Sequence, residues 1–138
     1  MKYNLNRYIT AQETIYEMVI WELRMGCKYS HWMWYIFPQF EGLGYSSRAK
    51  LYSIKSIEEA KAYLSHPVLG ERLIECSQLL LDIENQSISQ ILGYPDDLKL
   101  QSSMTLFDVV SKNDVFREVL EKYFDGKKDK RSLELMKT

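Results

Sequence analysis

Apolar positions recur at helical spacing over most of the chain. Leu5, Tyr8, Ile9, Ile15, Tyr16, Val19, Ile20 and Leu23 lie on one face of a 3.6-residue period. They predict a first helix over residues 5–25 that stops at Gly26, a residue suited to a C-terminal cap. Leu69, Leu73, Cys76, Leu80 and Ile83 alternate by four and three, and predict a long amphipathic helix reaching about residue 84. That stripe lasts only two heptads, which suits a core face rather than a coiled-coil seam.

Polar punctuation fills in the rest. Ser56 with Glu59 forms a capping box and predicts a helix over 57–65, followed by the His66-Pro67 break with Pro67 at a first helical position. Ser87 caps a short helix ending before Gly93, and Tyr94-Pro95-Asp96-Asp97 reads as a turn. From Lys99 the pattern resumes with Leu100, Met104, Phe107 and Val110. Asn113 then caps a helix carrying Phe116, Val119, Leu120 and Tyr123, which Gly126 closes. A last short helix fits 131–137, and Arg48 to Ile54 adds another after the glycine- and serine-rich loop 41–47. No repeat or linker divides the chain. The expected fold is a compact all-α single domain over residues 1–138, with seven or eight helices of unequal length.

One segment does not fit a plain core. Ser30 to Phe40 holds His31 and the rings of Trp32, Trp34, Tyr35, Phe37 and Phe40, and Pro38 ends the apolar run. Each buried Trp N–H or Tyr O–H needs a partner, so such a run costs more than aliphatic residues would. It marks either an aromatic core or a pocket wall. A helix of about two turns capped by Ser30 is the first reading, and a strand is the rival.

Composition narrows the function classes. With 46% hydrophobic residues, 27% charged ones and a net charge of −1, the 138-residue chain has a globular profile. It lacks the clustered basic face of a nucleic-acid binder. Lys127 to Arg131 is basic but is interrupted by Asp129, as in a solvated connector. No apolar run approaches a membrane span, and the N-terminus has no signal-peptide layout. Cys27 and Cys76 have no metal-ligand spacing, so neither a metal nor another cofactor is expected, and a reduced cytoplasmic location fits. Near-neutral charge and the lack of a free apolar stripe favour a monomer.

Two blocks could carry chemistry. His31, in the first turn of the aromatic helix, would be held neutral there and could act as a base, or could simply cap that helix. His66 stands at a second junction and invites the same alternatives. Lys99, Ser102 and Ser103 bring a cation, hydroxyls and helix-start N–H groups together, as an anion site requires, although N-capping alone would explain the serines. A Lys-Ser nucleophilic arrangement lacks the usual Ser-x-x-Lys order. Arg48 and Tyr52, four apart, could face a ligand together or pack on the surface. Gly42-Leu43-Gly44 lacks the third glycine and the lysine of phosphate-binding loops.

The run His31 to Gln39, followed by Gly42-Leu43-Gly44 and Ser46, resembles the signature of the domain of unknown function 1810 family. Glu59-Ala60, Ala62-Tyr63-Leu64, His66 to Gly70 and Arg72-Leu73 match its middle. Asp96-Asp97, Lys99 and Ser102 to Phe107 match the later part, with Ala11-Gln12 and the Leu120–Leu133 region at the ends. Leu92-Gly93 stands where the pattern has Phe-Gly, a change confined to packing. The resemblance implies a compact helical domain and no established activity. Members often carry the label "calpastatin", but an inhibitor of that kind is a disordered, repeated, polar segment, unlike this chain.

The motif order is also similar to that of the NADAR group of ADP-ribose-linked hydrolases, an analogy only. The functional expectation is a small-ligand site, binding or hydrolytic, for a nucleotide or ADP-ribose-like molecule. His31 and Ser102 are its catalytic candidates, and Trp32, Trp34, Gln39, Arg48, His66, Lys99 and Ser103 its ligand contacts. The alternative is a non-catalytic helical interaction module, which would expose an apolar patch instead.

Overall fold

The β-branched pair Thr14-Ile15 divides the first amphipathic pattern. Ile15 N–H bonds the Gln12 carbonyl three residues back, 3.1 Å away, and the tightened turn separates α1 (Asn6–Glu13) from α2 (Tyr16–Met25). The apolar period runs on across this break, so one helix was expected where two form. Gly26 closes α2 in the left-handed conformation.

The computed structural model describes residues 3–137, so the outermost residues of the expected 1–138 domain lie outside it. After α2 come α3 (Met33–Ile36), α4 (Ser47–Leu51), α5 (Ile57–Ser65), α6 (Leu69–Asp82), α7 (Ile88–Leu92), α8 (Asp96–Val110), α9 (Val115–Phe124) and α10 (Lys130–Met136). The fold is all-helical, with ten helices among the described residues rather than seven or eight. None is long and apolar enough to cross a membrane.

The aromatic segment yields a single turn, α3, rather than two. Ser30 does not cap it, because its hydroxyl donates to Glu22 Oε2 at 2.6 Å, and Trp32 takes the N-cap position. Beyond Pro38, Phe40 makes one isolated parallel bridge to Ile54. The strand-like character of the segment survives only in that bridge.

The α8 helix also differs from expectation. It begins at Asp96 and not near Lys99, since Leu98 and Lys99 N–H both bond the Pro95 carbonyl and Asp97 N–H bonds that of Gly93. Two acids in the first turn favour that start through the helix dipole. Asn113 Oδ1 accepts from Val115 N at 2.9 Å, while Asp114 holds the N-cap position of α9.

Helices α6 and α8 form the middle of the packing: α6 lies against α2, α5 and α9, and α8 against α5, α7, α9 and α10. The α5–α6 corner is tight because Gly70 has no side chain. A Cβ there would lie 1.9 Å from the Leu64 carbonyl oxygen. Cys76 is buried in α6, and burial pushes its thiol up to about 12.

A relay of rings crosses the core. Tyr35 packs edge-on to Tyr52 at 4.7 Å, Tyr52 meets Tyr8 at 5.8 Å, and Tyr8 meets Tyr63 at 4.9 Å. Tyr63 then contacts Phe107, and Phe107 contacts Phe116. The buried polar handles are satisfied: Tyr8 O–H donates to the Tyr52 carbonyl at 2.6 Å, and Tyr63 O–H to that of Tyr35 at 3.1 Å. Gln12 donates to the Tyr35 carbonyl at 2.7 Å and accepts from Arg72 at 3.2 Å, tying α1 to α3 and α6.

Candidate functional site

The rings of the aromatic segment divide between core and surface cleft. Trp32 is fully buried, and its indole Nε1 donates to Glu22 Oε1 at 3.0 Å. Trp34, two residues on, is half-buried, with two cations near its ring. Arg48 Cζ lies 5.3 Å and Lys99 Nζ 5.2 Å from its ring centroid, both within cation–π range.

Lys99 is held from behind. Asp96 Oδ1 is 3.5 Å from its ammonium, and Asp96 Oδ2 is 2.7 Å from Lys28 Nζ. The Lys28 side chain is only 5% exposed and sits 5.0 Å from the centre of the Trp32 ring. A chain of charges therefore runs from Glu22 in the core through Trp32, Lys28 and Asp96 to Lys99. The Glu22 carboxylate anchors it, accepting also from Tyr29 N at 2.9 Å and from Ser30 N at 3.1 Å. Burial pushes this carboxyl up, but the donors of Ser30, Tyr29 and Trp32 outweigh it and hold the group below the usual carboxylate range.

Two spaces share Gln39, Gly44 and Lys99 as lining residues, and Trp34 lines the smaller of them. This slot, lined by Met33, Trp34, Gln39, Tyr52, Ser53 and Lys99 among others, encloses about 10 Å³, which is about one water molecule. The outer cleft is far larger at about 290 Å³. Gln39, Gly44, Leu98, Lys99, Ser102 and Asp129 are among its lining residues. Gly44 keeps the loop close to α4, where a Cβ on it would lie 2.4 Å from that of Ala49. Opposite that loop, Asp129 caps α10 by accepting from Ser132 N at 2.9 Å and Ser132 Oγ at 2.6 Å.

Of the residues expected to form a site, Gln39, Lys99 and Ser102 line the outer cleft; Trp34 lines the slot and not the cleft, and Arg48 lines neither but lies near the Trp34 ring. The others lie elsewhere. His31 is exposed and does not line the cleft. Trp32 belongs to the core. His66 caps α6, its Nδ1 accepting from Val68 N at 3.1 Å and Leu69 N at 3.3 Å. Ser103 is fully buried, and its Oγ has no hydrogen-bond partner among the described residues.

The anion site expected from helix-start N–H groups at Ser102 and Ser103 does not form. With α8 starting at Asp96, those N–H groups lie within the helix, Ser102 Oγ reaches the Leu98 carbonyl at 3.3 Å and Thr105 Oγ1 that of Gln101 at 2.8 Å. Positive charge at the cleft comes from Lys99 instead.

The sequence reading missed Glu22, Lys28 and Asp129. Glu22 had a legible signal, an acid on the buried Val19–Leu23 face of an amphipathic helix, where a carboxylate needs several donors. Asp129 was hidden inside the basic cluster that read as a connector, and the packing of Lys28 depends on the loop after Gly26, for which no period exists.

The profile of a family described as proteins of unknown function, DUF1810, matches residues 2–136. This chain belongs to the DUF1810 family. The 1.38 Å crystal structure of the conserved hypothetical protein Rv1873 from Mycobacterium tuberculosis is 47% identical in sequence and superposes with a TM-score of 0.98. That match covers 100% of this chain and 99% of the other. Comparison with curated proteins gave no match. The DUF1810 fold is thus shown at whole-chain level, and no activity comes with it.

Proposed function

We propose that this DUF1810 protein binds a small anionic ligand bearing a planar ring, of the nucleotide class, in the cleft lined by Gln39, Lys99 and Ser102. The observation that carries this reading is convergence. Gln39, Gly44, Lys99, Ser102 and Asp129, from separate stretches of the chain, line one open cleft beside an aromatic ring flanked by two cations. The Trp34 indole beside Lys99 offers a ring face, Lys99 and the exposed Arg48 side chain offer charge to a phosphate, and Gln39 offers both a donor and an acceptor. At about 290 Å³ the cleft suits a nucleoside-phosphate-sized group, close to the lower end of ligand pockets at about 300 Å³. A larger ADP-ribose-like molecule would extend past its rim.

Binding is favoured over hydrolysis. Neither histidine lines the cleft, and the Ser102 hydroxyl has only the Leu98 carbonyl and the Asp129 carboxylate beside it, with Asp129 committed to capping α10. A nucleophile without a free base gains little reactivity.

The test is a thermal-shift series with AMP and ADP-ribose. Ligand at 100 times its dissociation constant stabilises the fold by about 2.7 kcal/mol, or roughly 10 °C in Tm. Lys99→Met removes a charge-assisted contact of about 1.5–3 kcal/mol and weakens binding roughly 10- to 100-fold. No shift with either ligand, or equal shifts in wild type and Lys99→Met, would refute the proposal.

A further inference from the structure

The exposed face of α2 is apolar, against the expectation that no free stripe exists. Met18, Trp21 and Met25 are 41%, 58% and 61% exposed, while Val19, Glu22 and Leu23 on the opposite side are buried. Their spacing of three and four puts them along one side of the helix, with Trp21 at the middle. Glu17 and Arg24, both exposed, lie on the other side of Trp21, and neither has an ion-pair partner among the described residues.

This pattern is self-complementary. Glu17 is four residues before Trp21 and Arg24 three after it; Met18 is three before and Met25 four after. A two-fold axis beside Trp21 that packs α2 antiparallel on a second copy sends each height along the helix to its opposite while keeping the lateral side. Glu17 then meets the partner's Arg24, Met18 meets the partner's Met25, and the two Trp21 rings meet at the axis. Charge faces opposite charge twice, and apolar residues face apolar ones twice. A face meant for an unrelated partner has no reason to be symmetric about its central tryptophan.

We propose that α2 is a homodimerisation surface, an antiparallel α2–α2 contact centred on Trp21. The stripe covers a few hundred Å², below the ~800 Å² per partner of a stable complex, so the dimer is weak and reversible. It lies on α2, away from the residues that line the cleft, and it does not depend on the ligand proposal.

Sedimentation velocity of the full chain, without ligand, tests this directly. Between roughly 10 µM and 1 mM the wild type shifts from monomer towards dimer, as a weak Kd in that range requires. Trp21→Glu stays monomeric throughout with an unchanged circular dichroism spectrum. Glu17→Arg and Arg24→Glu each create two like-charge pairs and associate roughly tenfold more weakly. Mixed in equal amounts, those two variants regain wild-type association, because every pair in the heterodimer is again opposite in charge. A wild type that remains monomeric to the top of the range overturns the proposal. So does dimerisation that survives Trp21→Glu, and absence of rescue on mixing overturns the antiparallel pairing.

Discussion

Glu22→Ala costs about 3–5 kcal/mol of folding stability, among the largest effects expected of a single substitution outside the apolar core. The carboxylate accepts from Tyr29 N, Ser30 N, Ser30 Oγ and the buried Trp32 Nε1, so alanine leaves several donors without partners at once. Each buried unsatisfied donor costs about 1–3 kcal/mol, and bonds to a charged acceptor are the stronger ones. Against a typical total of 5–15 kcal/mol, such a loss leaves the domain near its threshold. Urea unfolding should show a lower midpoint at unchanged slope. Glu22→Gln keeps one carbonyl acceptor and should cost clearly less.

The same residue sets an acid dependence. Its carboxyl is held below the usual range in the folded protein, so the unfolded chain binds a proton at a pH where the folded one does not. Stability from Glu22 is complete above the unfolded carboxylate value and falls away as pH drops through the lowered folded one. In Glu22→Gln that contribution to the acid-side slope disappears. A Gln variant with the wild-type acid slope would mean that other carboxylates govern it.

Arg7→Ala should cost about 3–5 kcal/mol, for a different reason. Arg7 Nη2 lies 3.0 Å from Glu59 Oε2, and the Glu59 side chain is only 3% exposed, so alanine strands a buried carboxylate. Arg7 also donates to the Leu51 carbonyl at 2.9 Å and the Ser53 carbonyl at 3.0 Å, pinning the segment whose Tyr52 and Ser53 line the slot under Trp34. The paired change Arg7→Met with Glu59→Gln should recover much of the loss, since no lone charge remains and Gln still accepts from Lys55 N, the 2.7 Å bond made by Glu59. Additive losses in that double-mutant cycle would show that the two side chains act independently.

What the sequence disclosed follows the range of each signal. The stripe Leu69 to Ile83 and the capping residue Ser56 are local and periodic, and α6 and α5 form where they indicated. Periodicity could not reveal the break at Thr14-Ile15, because both halves of the pattern keep the same phase. It could not choose between α3 and a strand, because the segment's conformation is decided by Glu22, which takes the hydroxyl of Ser30 that would have capped a longer helix. Among candidate site residues, Gln39, Lys99 and Ser102 do share a cleft, whereas Trp32 and Trp34 look equivalent in sequence and yet one is fully buried and the other half-buried. Only tertiary packing distinguishes them. Trp32 is part of the core, and Trp34 is half-buried and lines the slot.

The most direct measurement of the cleft's role is an amide NMR titration of the ¹⁵N-labelled full chain with AMP. The account predicts shifts concentrated at Gln39, Leu43, Gly44, Leu98, Lys99, Ser102 and Asp129, with the Trp34 indole N–H among the largest, and little change at His31 or His66. An unperturbed spectrum, or shifts gathered away from those residues, would contradict it.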